Sequence, residues 1–240
     1  MKLLEHRTRP RPSAPATDVT PDWGLRWVLL LPALLVVLQL LGAAVLAPFR
    51  PLGAGTILLL TGSCDLLLLG MTWGCLCFRR GHGLRILGLV PPARSRDLFV
   101  LPLAGVLLAI LGGLGADLVY RLFSGGAPPP PQRTVQWLGG IHSAGLRILA
   151  ILVVGGVAPI VEEVVFRGVV FRTLRERAGL FSSVVLSSIL FALAHLDPDH
   201  ALHLFAIGAV LAWIVSRCGS LYPGMILHSA INLSALFLAW

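Results

Sequence analysis

The sequence predicts an all-α fold, a polytopic transmembrane helix bundle with about seven membrane helices. Composition and the length of the apolar runs predict it. Hydrophobic residues make up 56% of the 240 residues and charged residues only 12%; mean hydropathy is +0.86. Soluble domains carry about 25% charged residues. A soluble exterior of this size needs polar groups that the chain lacks. A bilayer removes the demand by acting as an apolar solvent. No strand alternation, internal repeat or soluble domain is visible along the chain.

The elements follow in order. Residues 1–22 are polar, basic and Pro-rich, with neither an apolar stretch nor a small-residue cleavage site. They are expected to form a disordered basic cytoplasmic tail, not a cleavable signal peptide. A bilayer span needs about 20 apolar residues. Runs of that length lie at 25–47, 54–78, 98–123 and 146–171. Three shorter runs follow at 180–196, 201–216 and 221–239, close enough that a re-entrant segment is an alternative to separate spans. Residues 124–133 interrupt the pattern with Pro128–Pro131 and are expected to be an extended connector outside the membrane. The chain thus divides into a tail, 1–22, N-terminal transmembrane helices with the Pro-rich connector, 23–140, and a C-terminal transmembrane region, 141–240.

The net charge of +8 would suggest nucleic acid in a soluble protein. Here the arginines lie mostly between apolar runs, so they read as orientation signals and contacts to anionic lipid. No nucleic-acid partner is expected. Lys2, Arg7, Arg9 and Arg11 precede the first helix, Arg79, Arg80, Arg85, Arg94 and Arg96 follow the second, Arg172, Arg175 and Arg177 follow the fourth, and Arg217 follows the sixth. These alternate loops are expected on the cytoplasmic side of a bacterial cytoplasmic membrane, with the N-terminus inside. The opposite set holds Arg50, Arg121, Arg133, Arg147 and the acidic Asp197 and Asp199. Cys64, Cys75, Cys77 and Cys218 lie in or beside apolar runs without metal-ligand spacing, and read as membrane-packed thiols.

Ionised side chains inside a bilayer are costly, so they should be few and purposeful. The fourth run contains Pro159, then Glu162 and Glu163, then Arg167. Adjacent carboxylates on a helix point about 100° apart and cannot share one task. Glu163 and Arg167 stand at i, i+4 and can pair. Glu162 is left without a local cation, as a general base or acid would be. Pro159 frees a helix carbonyl just ahead of the pair. His195 ends the fifth run, and His228 and Asn232 share a face of the seventh at i, i+4. Each signal alone has a plain reading: a topology or packing pair, an interfacial histidine, a helix-bridging pair. Together they place one free carboxylate, two imidazoles and an amide on three helices.

The set Glu162-Glu163-x-x-x-Arg167, Phe191-x-x-x-His195 and His228-x-x-x-Asn232 resembles the CPBP family of CaaX prenyl-protein endopeptidases and Abi-type proteins. The resemblance covers roughly 146–236. It implies an intramembrane endopeptidase acting on a membrane-associated or lipidated peptide or protein. It further implies that Glu162 and His195 activate a water and that His228 and Asn232 stabilise the oxyanion, with Glu163 and Arg167 in support. Metal-free chemistry is the favoured expectation. Zinc held by Glu162, His195 and His228 is the alternative, although no His-Glu-x-x-His helix is present. A non-proteolytic immunity or scaffold protein of the same family is the competing reading, and a secondary transporter would need inverted repeats that are not seen.

Two points are left open. Counted from the expected cytoplasmic ends, His195 lies deeper than Glu162, which suggests that 181–183 sit outside the hydrocarbon. Asp65 lies deep in the second run with no assigned partner. Asp117 and Arg121 are expected to pair, and His142, His200 and His203 to be interfacial.

Overall fold

Seven long apolar helices and one short one account for the described part of the chain. The computed structural model describes residues 23–46, 53–78 and 83–240, and among these no strand occurs. The expected tail 1–22, with Arg50, Arg79 and Arg80, lies outside the described residues. Helix α1 spans Arg26–Leu46 and α2 spans Ala54–Thr72, prolonged by a π-helical turn at Trp73–Phe78. Helix α3 is Asp97–Phe123, and a short α4, Arg133–Gly139, follows the Pro-rich connector. The sequence reading lacked α4. One helical stretch then runs Ala144–Ala194, broken at Gly179; its two arms are α5, residues 144–178, and α6, residues 180–194. Helices α7, Ala201–Cys218, and α8, Tyr222–Ala239, complete the bundle.

Backbone groups in hydrocarbon must be paired within the chain, and helices do this locally. Polar side chains on the spans are absorbed in the same way: Ser63 donates to Leu59 O, Thr72 to Leu68 O and Ser188 to Val184 O. The surface is apolar. On α3, Phe99, Leu103, Leu107, Leu111, Leu114, Leu118 and Leu122 are all exposed. The interior holds Asp65, Glu163, Arg167 and His228, all buried. This inverted distribution is that of an integral membrane protein. Among the described residues, five helices are long and apolar enough to cross a bilayer, with a shorter apolar one at Arg26–Gly42. Dividing the longest at Gly179 recovers the seven apolar runs of the sequence.

The two predicted sets of loops lie at opposite ends. At one end Trp23 Nε1 donates to Thr173 Oγ1 at 2.7 Å and Arg177 Nη2 to Trp23 O at 3.3 Å. There too Arg172 Nη2 donates to Gly219 O at 2.6 Å and Leu221 N to Gly88 O at 2.9 Å. These contacts join the residues flanking the basic loops. At the other end Tyr120 donates to Asp199 at 3.4 Å and Trp240 Nε1 to Leu138 O at 2.9 Å. Asp117 and Arg121 do not form the expected ion pair. Arg121 donates instead to Gly126 O, and Asp117 lines a cavity of about 370 Å³ with Tyr120, Asp199, His200 and His203. Cys64, Cys75 and Cys218 are free thiols.

The depth problem resolves in the hairpin of α5 and α6. Helix α5 continues seven residues beyond 171, the limit expected for the fourth run. Glu162 faces His195 and Phe166 faces Phe191, each pair centred on 178–179. Residues 180–185 therefore run beside 172–177, with Arg172, Arg175 and Arg177, and the exposed Phe181 lies at that level. Glu162 lies seventeen residues before Gly179 and His195 sixteen after it, so an antiparallel hairpin sets them level.

Gly179 has φ 75° and ψ 179°, a conformation open essentially to glycine alone. Gly179→Ala is expected to destabilise the protein by about 1–3 kcal/mol. Thermal unfolding in detergent micelles against wild type checks this; an unchanged midpoint would remove the hairpin constraint.

Candidate active site

The site begins with an interrupted helix. Helix α5 is α-helical at Ala144–Leu152, π-helical at Val153–Val157, α-helical at Ala158–Glu162 and π-helical at Glu163–Phe171. In the first π segment Ala158 N donates to Val153 O, five residues back. The next donor in that register would be Pro159, which has no N–H. Val154 O is left over, and Asn232 Nδ2 donates to it at 2.9 Å. The freed carbonyl expected from Pro159 is thus real, and an amide from α8 takes it. Such π segments are frequent at functional sites.

About one turn beyond Pro159 on α5 stand the two carboxylates. Glu163 and Arg167 are wholly buried. Arg167 Nη1 donates to Glu163 Oε1 at 2.9 Å and Nη2 to Gly208 O at 3.1 Å. The guanidinium carbon lies 4.4 Å from the Phe191 ring centroid, a cation–π contact. Glu163 Oε1 also accepts from His228 Nδ1 at 3.1 Å. A Cβ on Gly224 would stand 3.0 Å from Glu163 Oε2, so the bare backbone there lets α8 close on α5. The expected i, i+4 pair is present, and it does more than neutralise charge. It fixes the ring of His228.

Glu162 is the free carboxylate. Its Oε2 is buried without a hydrogen-bond partner. It lies 3.8 Å from His195 Nε2 and 3.7 Å from His228 Nε2. His195 Nδ1 is 2.8 Å from Phe191 O. A carbonyl can only accept, so Nδ1 carries the hydrogen and Nε2 of the neutral ring is bare. The same argument applies to His228, whose Nδ1 faces a carboxylate. With both rings neutral, three acceptor atoms converge with no donor among them; a protonated ring instead donates its Nε2 hydrogen toward Glu162. A water, which donates twice, suits that spot.

The structure brings Glu162, Glu163, Arg167, His195 and His228 into one network. Asn232 stands apart from it, committed to Val154 O through one amide hydrogen. Phe191 carries more than the sequence reading gave it. Its carbonyl sets the His195 tautomer, and its ring contacts Phe166, His195 and His228 at centroid distances of 5.2, 4.6 and 5.7 Å. Its spacing four residues before His195 is the only sequence signal of this. Gly208 O has none.

Zinc was the alternative cofactor. The donor chemistry suits it, because both imidazoles give their Nδ1 hydrogens away and present bare Nε2 atoms. Among the described residues, however, no group of three or more His, Cys, Asp or Glu side chains is spaced to hold a metal ion.

Fold and site define a helical integral membrane protein with an internal carboxylate–imidazole centre. Comparison with known proteins agrees on the membrane-protein class. Residues 144–234 match the family model of Type II CAAX prenyl endopeptidase Rce1-like proteins. The chain is 28% identical over 131 residues to a Bacillus subtilis (strain 168) protein named "Putative membrane peptidase YdiL", covering 54% of this chain and 52% of that one. It is 28% identical over 82 residues to the UPF0177 protein YxdF of Lactococcus lactis subsp. lactis (strain IL1403), covering 34% and 45%. The chain spans about half the length of the curated relatives it matches. No solved structure matches it. The resemblance to the CPBP membrane peptidases is borne out over 144–234, the segment that contains all seven motif residues.

Removing one partner of a buried ion pair costs about 3–5 kcal/mol, whereas replacing both by apolar groups is often neutral. Arg167→Met is expected to lose about that much stability, and Glu163→Met/Arg167→Met to regain most of it. Thermal unfolding of the two variants in micelles decides this.

Proposed function

We propose that the protein is an intramembrane endopeptidase that hydrolyses a peptide bond of a membrane-associated or lipidated peptide or protein. The single observation that carries the reading is the convergence of Glu162 Oε2 with the Nε2 atoms of His195 and His228 in a buried site. A water there donates one hydrogen to Glu162 and the other to an imidazole. As its oxygen attacks the scissile carbonyl, Glu162 takes a proton. The carbon–oxygen bond forms, the carbon–nitrogen bond breaks, and Glu162 returns the proton to the leaving amine.

The oxyanion needs donors. His228 Nε2 can donate only as imidazolium, with Glu163 behind it balancing the charge, in the manner of an aspartate behind a catalytic histidine. Asn232, one turn along α8, keeps a second amide hydrogen, which serves an oxyanion lying between it and His228. The end carrying Trp23, Arg172, Arg175, Arg177 and Arg217 is assigned to the cytoplasm by its positive charge. The site then lies nine residues in from the level of Phe171.

Zinc dependence is a second reading, supported by the donor chemistry of both histidines and not by their spacing; Glu162, His195 and His228 would be its ligands. A chelator that leaves wild-type cleavage intact, with no zinc in the purified protein, removes that reading. A non-proteolytic immunity or scaffold role is the remaining alternative.

Glu162→Gln and His195→Ala are each expected to lower cleavage by about 10²–10⁴-fold. Both should leave the protein inserted and folded. Trapping with Glu162→Gln and mass spectrometry of bound peptides supplies the substrate. Full activity in both variants, or a retained cellular phenotype in Glu162→Gln, overturns the peptidase reading.

A further inference from the structure

Asp65 is a buried carboxyl group that the proposed reaction leaves unused. It lies on α2, outside the matched segment 144–234. Only 2% of it is exposed, and its Oδ2 has no hydrogen-bond partner. It belongs to the buried face of α2 with Leu58, Gly62, Leu68 and Thr72. An unpaired carboxylate in an apolar interior is costly enough to need a reason.

Its level in the bundle follows from contacts. A Cβ on Gly55 would meet Leu146 at 3.1 Å and one on Gly62 would meet Val153 at 3.2 Å. The partners in both pairs are 91 positions apart, so α2 and α5 run parallel and in register. The same offset sets Asp65 level with Gly156, which adds no side chain to the space. That level is also the one at which Asn232 meets Val154 O. Glu162 lies six residues further on, about 9 Å along the axis, and within electrostatic reach of Asp65. The interior therefore has two polar layers. One holds Glu162, His195 and His228. The next holds Asp65 and Asn232.

A peptide drawn into this space leaves its own secondary structure and exposes backbone N–H groups. Away from water each of these needs an acceptor. Asp65 Oδ2 is such an acceptor, set one layer from the reacting atoms. We propose that Asp65 binds the substrate backbone, accepting a hydrogen bond from an amide N–H that flanks the scissile bond. This rests on the peptidase reading. Asp65 touches substrate but no reacting atom, so its effect falls on binding.

The test starts in cells expressing wild type, Glu162→Gln or Asp65→Asn, with new peptide termini in the membrane fraction identified by mass spectrometry. Identical termini in wild type and Glu162→Gln overturn the peptidase reading itself, and the proposal with it. Cleaved sites supply a peptide whose kcat and KM are measured in micelles, unmodified and N-methylated at one flanking amide at a time. A hydrogen bond to a buried carboxyl oxygen changes affinity by about threefold to tenfold. The expected result is that Asp65→Asn raises KM by that factor with kcat little changed. One N-methylated peptide should show the same rise with wild type and no further rise with Asp65→Asn. An unchanged KM in Asp65→Asn overturns the assignment and leaves the peptidase reading standing. So does the absence of any sensitive amide with wild type, which needs no variant to fold. A loss that follows a lysine-to-norleucine change in the peptide, and no amide, overturns it also.

Discussion

A guanidinium with no access to water governs the centre of this protein. Arg167 is charged at any accessible pH and lies among apolar helices. Such a group is tolerated only when it is neutralised and its hydrogens are taken up. Glu163 supplies the charge, Gly208 O an acceptor and Phe191 a ring face. Those partners come from α5, α7 and α6. Satisfying one cation thereby draws three helices together, and Glu163 passes the constraint on to His228 of α8. The neighbouring Glu162 is excluded from this arrangement by the angle between successive residues, and for that reason faces the histidines unpaired.

The long helix α5 is interrupted where it serves the site. A regular α-helix would satisfy Val154 O itself and leave Asn232 nothing to bind. The π register and Pro159 together expose that carbonyl. Asn232 then secures α8 to α5 one turn beyond the ring of His228. Rigid spacing between the two polar layers follows from a local defect in hydrogen bonding.

Much of this was legible in the sequence. Composition and run lengths gave the helical membrane bundle because a bilayer leaves few alternatives. The i, i+4 spacing of Glu163 and Arg167 gave their pair, and Pro159 gave the freed carbonyl. Other features depend on tertiary geometry. The apparent excess depth of His195 pointed to 181–183 lying outside the hydrocarbon, and its cause is that α5 extends beyond its apolar limit at 171: hydropathy marks where hydrocarbon ends, not where a helix ends. The contact of Gly208 O with Arg167 leaves no trace in the sequence, since any residue has a carbonyl. Asp117 and Arg121 have the spacing of a pair, yet Arg121 turns to the Gly126 carbonyl in the following turn. Asp65 was visible but had no context until the register of α2 against α5 placed it.

The hairpin about Gly179 also bears on how such a chain can change length. Glu162 and His195 are matched by nearly equal counts of residues on either side of one glycine. Removing a single residue from one arm would rotate everything beyond it by about 100° and shift it by about 1.5 Å. Removing whole turns from both arms would only shorten the tip. Among descendants of this architecture, insertions and deletions between the first and second motifs should therefore survive as balanced pairs, leaving the separation of the motifs variable and their facing geometry constant.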